Sequence, residues 1–266
     1  MAIPKKIHYC WFGGNPKPDL ALKCLKSWQK YCPDFEIIEW NESNFDVNAN
    51  QYCRDAYNEK KWAFVTDYAR LSIIHEHGGV YFDTDVQLVR SIDSLLAHPA
   101  FMGIERAHDC CKVASGLGIG CEKGNPLIKE IMEDYDTANF YRSDGTIDIT
   151  TCTVRNTEIL KRHGYVEEDR IQRIPNAVIY STEYFCPMDM TNGRMHKTKN
   201  TYSIHHYSLS WTSKEHQEER KIYLRKARRA DFFYNLKVLP NNILQKFLGK
   251  ERYTRWIQKL KKGSGK

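Results

Sequence analysis

Apolar and polar positions along the 266-residue chain change period several times, alternating strand-like and helix-like stretches. Residues 5–12 (KKIHYCWF) are β-branched and aromatic enough for a strand, which Gly13-Gly14-Asn15-Pro16 breaks. Over 20–31, Leu22, Leu25 and Trp28 recur at helical spacing until Pro33 ends the run, and 35–40 reads as a second strand. This strand, helix, strand rhythm predicts a parallel sheet covered by helices. The pattern then predicts one long helix over about 52–77, with Phe64, Tyr68, Leu71 and His75 on one face and Gly78-Gly79 as its stop. Val80-Tyr81-Phe82 follows as a short buried strand and delivers Asp83-Thr84-Asp85 at its carboxyl end, where open α/β sheets bind ligands. Beyond it the pattern predicts strands over 100–105, 116–121, 171–174, 177–180 and 201–206, helices over 126–135 and 154–163, and a polar loop over 139–151. There is no internal repeat and no low-complexity segment.

Composition narrows the class. Hydrophobic residues make up 41% and aromatics 12%, enough to build a core and to exclude a disordered chain. No apolar run approaches the roughly 18 residues that span a bilayer. The opening MAIPKK enters a strand pattern without a signal-peptide core, which predicts a cytoplasmic protein. Nine scattered cysteines without C-x-x-C spacing predict free thiols. The net charge of +7 is unevenly placed: residues 214–266 hold 16 Lys+Arg against 5 Asp+Glu, which leaves residues 1–213 net acidic. We therefore expect a catalytic or binding body over 1–213 and a basic tail over 214–266.

Asp83-Thr84-Asp85 is the strongest chemical candidate. In a continuing strand the two carboxylates would face opposite ways, but a turn past a strand end lets both approach one ion. Hard oxygen ligands of this kind suit Mn²⁺ or Mg²⁺. Asp67 and Arg70 lie three apart and share a face of the helix that feeds this turn.

The run WAFVTDYARLSIIHEHGGVYFDTDV (62–86) resembles the sugar-binding D-x-D region of family 32 glycosyltransferases, and more distantly the catalytic domain of the large clostridial glucosylating toxins. IPKKIHYCWFGG (3–14) resembles the opening strand of that family, and TYSIHHYSLSW (201–211) its closing segment. The resemblance implies a GT-A fold, a Rossmann-like mixed sheet flanked by helices, and metal-dependent transfer of a hexose from a nucleotide sugar with retention of configuration. By the same resemblance Trp11 stacks on the base, with UDP preferred, and Asp83 and Asp85 hold sugar and metal. Asp67 and Arg70 grip sugar hydroxyls, His206 completes the metal site, and Ser210 and Trp211 contact the diphosphate. Many family members have Gly-Pro where this chain reads Thr150-Thr151-Cys152-Thr153, on the side that shapes the acceptor pocket. Ser115-Gly116, in the small-residue run ASGLGIG, is suited to a close approach of sugar to backbone, although the run also reads as an ordinary buried strand.

Two other classes compete. A strand leading into D-x-D also opens haloacid dehalogenase phosphatases, with Asp83 as nucleophile, but Gln87 stands where those favour Thr or Val. Non-enzymatic binding through the tail is the other. Tyr253, Trp256, Ile257 and Leu260 follow i, i+3, i+4, i+7 spacing among Arg252, Arg255, Lys259, Lys261 and Lys262, a basic amphipathic helix suited to an anionic membrane surface. No nucleic-acid-binding signature accompanies it. The expected partners are a nucleotide sugar, a glycan or lipid-linked glycan acceptor of bacterial surface polysaccharide, and the inner face of the cell membrane.

Overall fold

The computed structural model describes residues 2–107, 110–189 and 193–208, together with 215, 218–220, 222–227, 229, 248–249 and 251–256. Met1–Gln217 and Glu218–Lys266 form two compact units.

The first unit is built on a seven-stranded mixed sheet. Its strands are β1 (Lys6–Cys10), β2 (Glu36–Trp40), β3 (Gly79–Tyr81), β5 (Ala100–Ala107), β6 (Cys110–Cys121), β7 (Gln172–Ile174) and β8 (Ala177–Tyr180), in the order β2-β1-β3-β6-β5-β8-β7. β1 runs parallel to β2 and β3, β6 is antiparallel to both β3 and β5, and β5 is parallel to β8. The carboxyl ends of β1, β3 and β5 consequently meet at one edge. A separate ribbon pairs β4 (Val86–Leu88) with β9 (Ser203–His205), so that the segment after the acidic turn is tied to the end of this unit.

Helices cover both faces. α1 (Asp19–Tyr31) and the short α6 (Thr182–Phe185) pack on one, where Trp28, Phe82, Phe101 and Phe185 are fully buried. On the other lie α2 (Gln51–Asn58), α3 (Trp62–His77), α4 (Pro126–Thr137) and α5 (Cys152–Arg162), with Tyr52, Leu71, Ile128 and Tyr135 at the centre. A mixed sheet flanked by helices on both faces is the architecture that the resemblance implied. All nine cysteines are free, as expected.

Three expectations need correction. The long helix over 52–77 is two helices, α2 and α3. Residues 58–61 are all polar and exposed, so a continuous helix would have a full turn with nothing to bury. Lys60 takes φ +55° there, and the Lys61 N–H donates back to Ala56 O at 2.9 Å, closing α2. α1 lies at its expected place but buries Ala21, Cys24 and Trp28, while Leu22 is 43% exposed. The Trp28 indole sets that rotation by donating to Val86 O at 2.8 Å. β6 begins six residues earlier than expected, because its first half pairs with β5 beyond an irregularity at Met102/Gly103. The helix stop at Gly78 is as predicted. Its φ is +63°, and a Cβ there would stand 2.9 Å from Lys123 N.

The second unit has helical residues at 218–220, 222–227 and 251–256, with Arg225, Lys226, Arg252 and Arg255 exposed and Tyr253 buried. Ile257 and Leu260 lie outside the described residues. No helix among the described residues is long and apolar enough to cross a membrane.

Candidate active site

β3 ends at Tyr81, and the chain turns at once: the Val86 N–H donates to Asp83 O at 3.0 Å. The turn cancels the alternation that a strand would impose on Asp83 and Asp85. A ligand atom from each, with one from His205 on β9, lies within 4.8 Å of the others. Two carboxylates and an imidazole form a hard, mixed O/N donor set that suits Mn²⁺, and the fit rests on these three residues alone.

Asp85 is the better fixed of the two carboxylates. Its Oδ1 lies 3.1 Å from His205 Nε2, its Oδ2 accepts from the Ser208 N–H at 2.8 Å, and its carbonyl accepts from the His206 N–H at 3.0 Å. Burial alone would raise this carboxyl, but the neighbouring His205 and the Ser208 N–H outweigh it and hold it well below the usual range. For His205 burial acts downward, yet Asp85, Glu105 and Asp83 together raise it to about 9. Asp83 accepts from Tyr81 Oη at 2.9 Å and lies 3.6 Å from Arg70 Nη2, while its own N–H donates to Gly116 O at 3.1 Å.

Beneath the turn, Asp67 and Arg70 project from α3 and are both buried, with Arg70 Nη2 2.9 Å from Asp67 Oδ1. Arg70 Nη1 reaches Ser115 Oγ at 3.4 Å, and the guanidinium stands over the Tyr81 ring. Burial, opposed by Arg70 and assisted by Asp83, lifts the Asp67 carboxyl above its ordinary range. The small residue at 116 is a steric requirement. A Cβ there would lie 2.1 Å from Asp83 Oδ2 and 2.8 Å from Arg70 Nη1. Residues 115–118 bulge out of the β5–β6 register, and this brings Ser115 and Gly116 to the acidic turn.

The structure thus gathers Asp67, Arg70, Asp83 and Asp85 as the sequence reading anticipated. Trp11 stands half-buried just past the end of β1, the neighbour of β3; its indole donates to Asn15 O at 2.6 Å, and Lys17 Nζ lies 5.6 Å from the ring. Of the two histidines, it is the ring of His205 and not that of His206 that the structure brings to Asp85. His205 meets Asp85, whereas the His206 ring lies 3.0 Å from Gln87 Oε1, because consecutive residues leave an extended segment on opposite sides. Ser210 and Trp211 lie outside the described residues. Two neighbours of these residues were not singled out from the sequence. Cys152, at the start of α5, is pushed up by burial and by Asp67, with Arg70 opposing, so its thiol stands close to that pair. Glu105, on β5, is raised by burial and by Asp83 and Asp85 although His205 opposes this. The Thr150–Thr153 departure already marked the neighbourhood of Cys152, whereas nothing in the sequence pattern marked Glu105.

Comparison with known proteins agrees with this geometry. Residues 18–102 match the family model described as a glycosyltransferase sugar-binding region containing a DXD motif. Inositol phosphoceramide mannosyltransferase 3 of Schizosaccharomyces pombe is 28% identical over 141 residues, 50% of this chain and 37% of that protein. Subversion of eukaryotic traffic protein A of Legionella pneumophila is 23% identical over 159 residues, 49% of this chain and 24% of that protein. The chain therefore spans well under half the length of these curated relatives. Among solved structures, the PaToxG glycosyltransferase aligns with a TM-score of 0.46 at 19% identity, over 60% of this chain and 70% of that one. Asp83-Thr84-Asp85, in the turn that ends β3, thus lies within the residues 18–102 that match the sugar-binding region of the DXD-motif glycosyltransferases.

Proposed function

We propose that the unit Met1–Gln217 is a glycosyltransferase that moves a hexose from a nucleotide diphosphate sugar, preferably a UDP-sugar, to a hydroxyl of a glycan acceptor. The observation that carries this reading is the convergence of Asp83, Asp85 and His205 on one point directly above the buried Asp67–Arg70 pair. Asp83, Asp85 and His205 would hold Mn²⁺ or Mg²⁺, which supplies Lewis-acid neutralisation of the diphosphate as it departs. The remaining work belongs to the chain.

Arg70 offers a rigid fork already fixed by Asp67 and Ser115, so it can meet oxygen-rich sugar and phosphate without reorganising. Asp67 accepts sugar hydroxyls from below, and Tyr81 orients Asp83 by donating to one of its oxygens. As the bond from C1 to the diphosphate oxygen breaks and one from C1 to the acceptor oxygen forms, the acceptor proton passes to the departing diphosphate, and the acidic floor formed by Asp67 and Asp83 stabilises the positive charge that gathers on C1 and the ring oxygen. Trp11 gives the base a flat face at the adjacent strand end. Retention of configuration follows from the resemblance. Gly116 leaves the room that Asp83 and Arg70 fill.

The test is a donor-hydrolysis screen with UDP-Gal, UDP-Glc, UDP-GlcNAc and GDP-Man in Mn²⁺, run beside Asp85→Ala. One donor should turn over, and both EDTA and the substitution should abolish it. Turnover unchanged by both would refute the metal assignment, and no turnover of any donor would refute the donor class. We read the basic tail, in which Arg225, Lys226, Arg229, Arg252 and Arg255 are exposed, as binding an anionic membrane, where lipid-linked acceptors of surface polysaccharide would be met. Equal flotation of the protein on anionic and neutral vesicles would remove that part of the reading.

A further inference from the structure

Two polar groups near the acidic turn are left without partners on facing elements. The first is Nδ1 of His205, which is buried and has no hydrogen-bond partner, while Nε2 of the same ring lies against Asp85. The second is the Glu105 carboxyl, which makes no hydrogen bond or ion pair among the described residues. The residue opposite it in the β5–β6 register, Lys112, has its ammonium 3.6 Å from Glu167 instead.

Register brings these two groups to the same place. Met102 and Ile104 face the core under α3 and α4, so Phe101, Gly103 and Glu105 face the other side of the sheet. There Phe185 covers Gly103, with Phe185 Cβ 3.1 Å from where a Cβ of residue 103 would be. The next residue, Cys186, has its sulfur 2.7 Å from Tyr207 Oη, and the Tyr207 ring lies 4.2 Å from the His205 ring, centroid to centroid. Glu105, one step along β5 from Gly103, therefore lies beside the Cys186–Tyr207–His205 stack, and its charge acts on both Cys186 and His205.

A half-buried carboxyl held without a partner near two aspartates is unfavourable, unless it serves the site when the site is loaded. We propose that Glu105 is a positioning residue for His205, accepting the Nδ1–H so that the neutral ring presents Nε2 to a divalent cation held with Asp83 and Asp85. Histidines that ligate metals usually have such an acceptor behind them, which fixes both tautomer and ring angle. The inference rests on the metal-site part of the proposed function and not on the donor or acceptor.

The experiment measures Mn²⁺ affinity by electron paramagnetic resonance and, separately, the melting temperature of the metal-free protein, for the full chain and for Glu105→Ala, Glu105→Gln, His205→Ala and the Glu105→Ala/His205→Ala double variant. Glu105→Ala should weaken Mn²⁺ binding by about 10- to 100-fold. It should leave the metal-free melting temperature unchanged or higher, since a half-buried carboxyl without a partner has been removed from beside two aspartates. Glu105→Gln, whose amide oxygen can still accept, should recover most of the affinity. The double variant should bind no more weakly than His205→Ala. Wild-type affinity in Glu105→Ala would overturn the proposal, as would additive losses in the double variant or a wild-type protein that binds no Mn²⁺. If Mn²⁺ binding depends on Glu105 in this way while no nucleotide sugar is turned over, the positioning role stands and the transferase reading falls.

Discussion

Replacing Gly116 by alanine should inactivate the protein without unfolding it. The added Cβ would lie 2.1 Å from Asp83 Oδ2, 2.9 Å from Asp83 Cγ and 2.8 Å from Arg70 Nη1. The backbone itself accepts alanine, because Gly116 is not among the glycines with positive φ. Ordinary contact requires about 3.4 Å, so Oδ2 must retreat by roughly 1.3 Å or the strand must move. The strand is held on both sides of the bulge: Gly116 O accepts from the Asp83 N–H at 3.1 Å, Ala114 pairs with Gly103, and Ile119 pairs with both Tyr81 and Met102. The Asp83 carboxyl gives way instead, breaking its bond from Tyr81 and leaving the point it shares with Asp85 and His205. A displacement of about 1 Å in a reacting constellation costs on the order of 10²-fold in rate, or ~2.7 kcal/mol of barrier. We expect kcat/KM for donor hydrolysis to fall by about that factor, with weaker Mn²⁺ binding and a melting temperature within a few degrees of wild type. Gly103→Ala is the contrast. Its Cβ meets the Phe185 ring at 3.0 Å in the core, so stability should fall while the turnover of folded protein persists. A folded Gly116→Ala with wild-type kcat/KM would refute the claim that Asp83 must occupy its observed position.

Three further outcomes follow from the same geometry. His8 is fully buried, accepting from the Trp40 indole at Nδ1 (3.0 Å) with Nε2 2.9 Å from Gly78 O, and burial lowers it to about 4. The unfolded chain takes up this proton below about pH 6.5 and the folded chain only near 4, so stability should be lost as pH falls across that window, by up to ~3 kcal/mol. Urea midpoints at pH 7 and 4.5 should therefore converge more closely in His8→Leu, and an unchanged difference would count against the assignment. Asn125 caps α4 by accepting from the Leu127 and Ile128 N–H groups at 3.0 and 3.2 Å and donates to Pro99 O at 3.2 Å; Asn125→Ala should cost about 2 kcal/mol by denaturant titration. Asp67→Asn keeps the shape beneath the turn but removes the charge that fixes Arg70, so donor kcat/KM should fall about 10²-fold at little cost in melting temperature.

The acidic turn was legible in the sequence because its signals are local. A glycine that tolerates positive φ, three apolar residues and a D-x-D need no knowledge of the rest of the chain, and Asp67 and Arg70 are tied to them by helical periodicity alone. What could not be read depends on pairing between distant segments. The choice between His205 and His206 is a question of strand register, and a slip of one residue exchanges the two faces of the segment. Only the pairing of Val86 with His205 and of Leu88 with Ser203 decides it. Leu22 was misplaced for a related reason: the rotation of α1 is set by the Trp28 indole reaching Val86, nearly sixty residues away, and two leucines at helical spacing were weaker evidence than one indole N–H that had to find an acceptor. Glu105 is the extreme case. It sits in a strand whose sequence, FMGIERA, reads as core running out to solvent, and a glutamate there would ordinarily mark the exposed end. β5 instead delivers it to the edge where β1 and β3 also end, beside a histidine supplied a hundred residues later. Which charges this half-buried carboxyl faces becomes visible only when the topology is known. Register errors of this kind should therefore concentrate in residues contributed by the β4–β9 ribbon and β5, and should spare those carried by α3.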